Sequence, residues 1–220
     1  PLARWREHPL PHFTLPDKTA DLAGVHEIAD AIVGGFARVI ILGTGGSSLG
    51  AQVLAQIHGW GTPSALRGQP QLVFADNLDA TSLGQLLAPE DLQATGFLVV
   101  SKSGGTAETM MQLCCVLPAL EAADLEPAKH IYAICGTGDV PLRRLAQKYA
   151  LHVLDHEADI GGRFAVLSNV GLLPARLAGC DIEAIRAGAR ETIAALFDVD
   201  AGAHAGMQGA ALQFAHMQTG

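Results

Sequence analysis

Short, continuous apolar runs recur along the chain and are separated by segments with helical spacing. The runs are too short to form independent helices, and most are rich in β-branched or aromatic residues. Continuous runs of this kind are typical of strands buried on both faces of a parallel sheet. They lie at residues 39–42, 72–75, 97–100, 131–134 and 151–154.

Apolar residues at helical spacing follow several of these runs. Leu49, Val53 and Ile57 recur in steps of four after the first run, and comparable patterns follow the third and fourth runs. This alternation predicts an α/β fold with a doubly wound, five-stranded parallel sheet and helices on both faces. Flanking helices are predicted over 22–36, 164–178, 182–197 and 203–217.

The chain has 220 residues and contains no evident internal repeat or linker, which favours one sheet domain with helical extensions. We place an N-terminal helical extension at 1–38. The sheet domain follows at 39–178, and C-terminal helices occupy 179–220.

Composition and charge exclude several function classes. Because 49% of the residues are hydrophobic, the chain is not expected to be disordered. The net charge of −8 argues against nucleic acid or an anionic membrane as a partner. The uncharged stretch between Arg38 and Arg67 holds one short apolar run, whereas a membrane-spanning helix needs about 20 apolar residues. Four cysteines without a disulfide or metal-binding pattern favour a cytoplasmic protein.

Three segments at predicted carboxyl ends of strands carry candidate chemistry, and ligands of open parallel sheets bind at such ends. The first, the glycine loop, spans 43–50 and reads Gly-Thr-Gly-Gly-Ser-Ser-Leu-Gly. Its glycines allow close approach to a ligand, and the helix that follows attracts an anion. It lacks the third glycine of the dinucleotide fingerprint and the Gly-Lys-Ser/Thr of a P-loop. A tight turn without a ligand remains the alternative.

The second segment, the hydroxyl loop, spans 101–109. Ser101, Ser103, Thr106 and Lys102 gather there with two glycines at the start of a helix. Hydroxyl and amide donors at a helix N-terminus bind phosphate without a metal. The alternative is ordinary helix capping by Thr106, with Glu108 in the first turn.

The third segment, the arginine loop, spans 159–164 and contains Gly161, Gly162 and Arg163. A surface turn with an exposed cation is the simpler interpretation. Beside two anion-binding loops, we expect Arg163 to face negative charge that develops on a substrate. His152 and His156 straddle the end of a strand run, so no metal site is expected there.

The motifs follow one another in the order found in glucose-6-phosphate isomerases, the phosphoglucose isomerase family, and the resemblance runs from about residue 39 to the end. The ordered set is specific, although the hydroxyl loop alone recurs in sugar-isomerase (SIS) domains. The motifs are Gly43-x-Gly45-Gly46-Ser47-x-Leu49-Gly50, Phe74-x-x-Asn77-x-Asp79, Ser101-Lys102-Ser103-Gly104-Gly105-Thr106-x-Glu108-Thr109, Gly161-Gly162-Arg163-Phe164 and Val170-Gly171-Leu172.

This resemblance implies an SIS domain of flavodoxin-like topology. It also implies interconversion of glucose 6-phosphate and fructose 6-phosphate through a cis-enediolate, in glycolysis and gluconeogenesis, without metal or organic cofactor. By the same resemblance, Arg163 stabilises the enediolate and Glu108 orients a catalytic histidine. The implied substrate-binding residues are Gly45, Gly46, Ser47, Ser101, Lys102 through its backbone, Ser103, Thr106, Gly161 and Gly162.

The chain departs from the family pattern in two ways. Ala165 stands where the family has Ser or Thr after Gly-Gly-Arg-Phe. The family's catalytic base, ring-opening histidine and late lysine belong to a second SIS domain or lie beyond it. We therefore expect the N-terminal part of a homodimeric isomerase, inactive alone. A regulatory SIS module that binds a phosphosugar, or a dual phosphoglucose/phosphomannose isomerase, remains an alternative.

Overall fold

A computed structural model describes residues 2–59, 68–198 and 203–219. Its sheet is entirely parallel, with strand order β2-β1-β3-β4-β5. Each predicted apolar run overlaps one strand, so the predicted five-stranded, flavodoxin-like sheet is confirmed. The strands are β1 Arg38–Leu42, β2 Gln71–Ala75, β3 Thr95–Ser101, β4 Ile131–Cys135 and β5 His152–Asp155.

Helices connect and flank these strands. Short 3₁₀ segments also occur at Leu15–Asp17, Gly45–Ser47 and Gly162–Leu167. None of the helices in the described ranges combines the length and apolar character that a membrane span requires. The α-helices are α1 Leu2–Glu7, α2 Pro11–Thr14, α3 Leu22–Gly35, α4 Leu49–Ile57, α5 Ala80–Leu86, α6 Pro89–Leu92, α7 Ala107–Ala122, α8 Pro127–His130, α9 Pro141–Lys148, α10 Asn169–Leu177, α11 Ile182–Asp198 and α12 Ala205–Thr219.

The central strands are buried on both faces, which accounts for their continuous apolar sequences. Ile40 and Phe97 join a core with Leu113 of α7 and Leu142 of α9. The residues between these positions, such as Ile41, point to the opposite face because successive side chains along a strand alternate between the two faces. Elsewhere in the same unit, helix α10 packs against both α3 and α4.

The chain forms two compact units. One comprises Thr19–Ile182 and holds the entire sheet, and the other comprises Pro1–Lys18 with Glu183–Gly220. Within the second unit, Arg186 of α11 is buried and donates to the Lys18 carbonyl. The domain boundaries at 38 and 178 stay predictions.

Helix α4 is present where the sequence predicts it, but its apolar stripe does not face the core. Leu49, Val53 and Ile57 are 58%, 52% and 79% exposed. Ala51 and Ala55 are buried instead. Small residues on the inner face allow the helix to pack closely, and tertiary packing overrides the expectation from hydrophobicity alone.

The helix predicted over 164–178 is interrupted in the structure. A 3₁₀ segment ends at Leu167, and α10 begins at Asn169. Ser168 separates the two, because its hydroxyl donates to the Ala165 carbonyl over 2.7 Å and accepts from the Val170 amide over 3.4 Å. Serine prefers such capping positions, which explains the break.

Candidate functional site

The glycine loop and the hydroxyl loop lie side by side at the point where the strand order reverses. Strand β1 pairs with β2 on one side and with β3 on the other. A Cβ atom added to Gly43 would lie 3.2 Å from the carbonyl oxygen of Val100, the penultimate residue of β3. In open α/β sheets this switch point forms the ligand-binding crevice.

Three side chains of the hydroxyl loop, Ser101, Ser103 and Thr106, form a hydroxyl cluster at the N-terminus of α7. The Thr106 hydroxyl lies 2.9 Å from that of Ser101 and 3.4 Å from that of Ser103. It makes no capping hydrogen bond to α7. By contrast, Asp79 accepts a 2.6 Å hydrogen bond from the Ser82 amide at the start of α5. Thr106 therefore occupies the N-cap position of α7, but its hydroxyl does not make the capping hydrogen bond that the sequence left open.

The backbone of the hydroxyl loop is anchored by the loop after β4 and by the start of α9. Gly136 donates its amide to the Lys102 carbonyl over 3.1 Å, and Leu142 donates to the Gly104 carbonyl over 2.8 Å. Gly104 has a φ of +61°, and a Cβ atom there would lie 2.7 Å from Cβ of Val140. Glycine is therefore required at this turn, and two backbone hydrogen bonds anchor the loop that carries the hydroxyl groups.

The arginine loop meets both of the other loops. A Cβ atom on Gly46 would fall 2.6 Å from Cα of Gly162, so the two backbones are in direct contact. On the other side, the Lys102 ammonium donates to the carbonyls of Ala158 and Ile160 over 2.6 and 2.8 Å. The structure therefore brings together three segments that are distant in sequence.

The arginine and the glutamate singled out in the sequence are both exposed. Cζ of Arg163 lies 5.7 Å from the centre of the Phe164 ring. Glu108 lies in the first turn of α7. Within the described ranges no hydrogen bond joins either side chain to the hydroxyl cluster, and no group of three His, Cys, Asp or Glu residues is arranged to hold a metal ion.

Comparison with known proteins identifies the family. The family model described as "Phosphoglucose isomerase" matches residues 27–194. This chain belongs to that family. The glucose-6-phosphate isomerase of Rubrobacter xylanophilus is 36% identical over 211 residues, which cover 94% of this chain and 49% of the relative. The glucose-6-phosphate isomerase of Citrifermentans bemidjiense is 36% identical over 192 residues, which cover 82% of this chain and 35% of the relative. The chain thus spans half or less of the length of these relatives.

Solved structures share the fold of this family member. A hypothetical protein from Thermus thermophilus superimposes with a TM-score of 0.80 and 28% identity, over 98% of this chain and 51% of that protein. A glucose-6-phosphate isomerase from Chlamydia trachomatis gives a TM-score of 0.70 at 22% identity, over 86% of this chain and 39% of that one. The second similarity concerns the fold alone.

The family motif Phe74-x-x-Asn77-x-Asp79 has a structural role here. The Asn77 side-chain oxygen accepts from the Asp79 amide over 3.1 Å. Hydrogen bonds from Ser82 lower the pKa of the Asp79 carboxyl. Gln112 on α7, which the sequence patterns did not single out, donates to the carbonyls of Ala75 and Asn77 over 2.9 and 2.8 Å. A glutamine among the apolar residues of α7 is the signal that marks this anchor.

His156 is a second residue whose burial the sequence did not predict. It is only 2% exposed, and its Nδ1 lies 2.9 Å from the Glu157 carbonyl oxygen. Burial lowers the pKa of the imidazole, and the charge of Lys102 acts in the same direction. The Glu157 carbonyl and carboxylate oppose the shift without reversing it. His156 is therefore neutral at pH 7.

Acidification is expected to destabilise the protein through His156. Its folded-state pKa lies below the ordinary histidine value of 6.5. As the pH falls below about 6.5, the unfolded chain binds a proton that the folded chain does not, so stability is lost until the folded-state pKa is passed. Urea unfolding at a series of pH values should show that the unfolding free energy falls more steeply with decreasing pH for the wild type than for His156→Gln. His8→Gln, at an exposed site, is the control. Equal slopes for the wild type and His156→Gln would contradict this prediction.

Gly46→Ala is expected to disrupt the contact between the glycine and arginine loops. The new Cβ would overlap the Gly162 backbone, which cannot rotate away as a side chain can. We expect a loss of about 1–3 kcal/mol in unfolding free energy, together with weaker binding of a phosphosugar. Thermal melting and calorimetric titration measure the two effects. Gly84→Ala, where the space is open, is the matched control. A variant that melts and binds like the wild type would show that the loops are not in contact.

Proposed function

We propose that the complete protein interconverts glucose 6-phosphate and fructose 6-phosphate, in glycolysis and gluconeogenesis. The observation that carries the proposal is the convergence of the hydroxyl cluster and the arginine loop at one switch point. A 6-phosphosugar has its anionic group at one end and its reacting carbons, C1 and C2, at the other. A phosphate site adjoining an arginine loop suits both ends of such a molecule.

The proposed chemistry divides between the ends of the sugar. The phosphate accepts hydrogen bonds from the Ser101, Ser103 and Thr106 hydroxyls and from the Lys102 amide, and the α7 dipole favours its charge. Gly45, Gly46 and Ser47 line the crevice from the β1 side. Isomerisation moves a proton between C2 and C1, and the enediolate formed on the way carries negative charge on oxygen. Arg163 offsets that charge.

The residues proposed for this site do not include the catalytic base. Arg163 stays protonated at working pH and cannot abstract a proton from carbon. Glu108 is proposed to orient a histidine, as the family resemblance implies. We therefore propose that the base comes from outside residues 1–220, in the remainder of a polypeptide comparable in length to the relatives.

A coupled isomerase assay tests the proposal. The complete protein, purified free of host isomerase, is expected to convert either hexose phosphate, whereas residues 1–220 bind the sugar phosphate weakly and show no turnover. Mannose 6-phosphate is included to detect a dual specificity. Binding without turnover by the complete protein would favour a regulatory phosphosugar-binding module. Robust turnover by residues 1–220 would mean that the base is misassigned.

We also propose that the protein is a homodimer, as the family resemblance implies, and that it is cytoplasmic, which its four cysteines without a disulfide pattern favour. Leu212, Phe214 and Met217 of α12 are exposed, and apolar groups on a surface favour association. Residues 1–220 are accordingly expected to self-associate. Sedimentation velocity over a hundredfold concentration range measures this, and a monomer at every concentration would contradict it.

A further inference from the structure

The side chain of Lys102 contacts the turn before Gly161, although Lys102 belongs to the hydroxyl loop. Its ammonium donates to the Ala158 carbonyl over 2.6 Å and to the Ile160 carbonyl over 2.8 Å. Both acceptors lie just before Gly161 in the chain. The lysine therefore joins the hydroxyl loop to the backbone that leads into the arginine loop.

The segment that Lys102 holds is a compact turn. The Ile160 amide donates to the Glu157 carbonyl over 3.4 Å, and Nδ1 of His156 lies 2.9 Å from the same oxygen. Ile160 is buried, which fixes the far end of the turn. The carbonyls of Ala158 and Ile160 both accept hydrogen bonds from one ammonium. An apolar side chain at position 102 would leave these two acceptors without that donor.

The opposite end of the Lys102 residue is also anchored. Its backbone carbonyl accepts from the Gly136 amide over 3.1 Å. The backbone of Lys102 is therefore anchored to Gly136, directly after β4, and its ammonium is anchored to the turn before Gly161.

We propose that Lys102 is a positioning residue whose ammonium sets the place of Gly161–Arg163 relative to the hydroxyl cluster. The inference rests on the proposed isomerase function, because only a reaction at the far end of a phosphate-anchored sugar depends on that spacing. Lys102 then acts through Arg163, and its ammonium is not a ligand of the phosphate. Displacement of a catalytic group by about 1 Å is enough to lower turnover by about 10²-fold.

Lys102→Met in the complete protein tests this assignment, because it keeps the length of the stem and removes the charge and the donors. We expect kcat to fall by about 10²-fold while the affinity for the phosphosugar stays within about threefold. Lys102→Arg should recover most of the turnover, and Lys102→Gln should lie between them. Lys129→Met, at an exposed lysine paired with Glu126, is the matched control.

A double-mutant cycle with Arg163→Ala distinguishes positioning from a general structural effect. If Lys102 acts through Arg163, Lys102→Met should change kcat by less than about threefold once Arg163 is already absent. Additive losses would overturn the proposal. A loss of phosphosugar affinity at unchanged kcat would also overturn it, because the ammonium would then bind the phosphate.

Hydrogen exchange separates this proposal from the proposed function. In the complete protein, Lys102→Met should raise amide exchange across 157–163, and Lys102→Arg should restore protection, whether or not the protein is an isomerase. If the wild type is inactive and the two variants still show these changes in exchange, the isomerase function is refuted while the positioning contact of Lys102 is supported. Unchanged exchange in both Lys102→Met and Lys102→Gln would overturn the positioning role, even if the wild type is active.

Discussion

Replacing Ser103 and Thr106 together with alanine is expected to abolish measurable binding of 6-phosphosugars. The two hydroxyls lie 3.4 Å apart at the start of α7, and neither is used to cap the helix. Each hydrogen bond to a charged phosphate contributes about 1.5–3 kcal/mol, so losing two lowers affinity by roughly 10²–10⁴-fold. Isothermal titration with fructose 6-phosphate measures the change.

The matched control for this double variant uses a pair of hydroxyls in the first turn of a different helix. Thr81→Ala with Ser82→Ala removes two exposed hydroxyls from α5 and should leave binding unchanged. Both double variants should keep the wild-type melting temperature to within a few degrees, because the deleted groups are not buried. Wild-type affinity in the Ser103/Thr106 variant would place the phosphate elsewhere.

Arg163→Ala in the complete protein is expected to lower turnover by about 10²–10³-fold with little change in phosphosugar affinity. The arginine is exposed and belongs to the loop that Gly46 and Lys102 hold in place. Its charge is needed when the enediolate forms, and removing one preorganised donor to such a charge typically costs this much. Steady-state kinetics together with direct titration separate kcat from affinity.

Two further variants make this second experiment specific. Arg163→Lys keeps the charge but loses the planar set of donors, so partial recovery is expected. Arg144→Ala removes another exposed arginine, which pairs with Asp139, and should leave turnover unchanged. A large loss of affinity at constant turnover would instead make Arg163 a ligand of the bound substrate.

The strands of the sheet could be predicted from the sequence because burial on both faces requires a continuous run of apolar residues. A strand such as Thr95–Ser101, buried at every position, has polar side chains only at its two ends. The residue types of the hydroxyl loop were equally informative, since serines, a threonine and glycines before a helix suit anion binding. The phosphosugar assignment came from the order of the motifs, which composition alone does not contain.

Contacts between distant segments were beyond the reach of sequence patterns. The Gly46–Gly162 approach requires two loops to meet, and neither glycine reveals its partner. The burial of His156 and the direction of the Lys102 side chain likewise follow from the turn at 156–160. In α4, periodicity predicted the helix, whereas the tertiary structure decided that Ala51 and Ala55 form its buried face.

The sequence by itself therefore determined the parallel sheet, the family and the chemical character of the three loops. These features are local, because hydrophobic runs and donor-rich turns are written in consecutive residues. Only the tertiary structure decided that the Thr106 hydroxyl makes no capping hydrogen bond to α7 and that Lys102 joins two loops. These hydrogen bonds depend on which backbone groups the fold brings together at the carboxyl end of the sheet. A hydroxyl or an ammonium donates to the acceptor that lies within reach there.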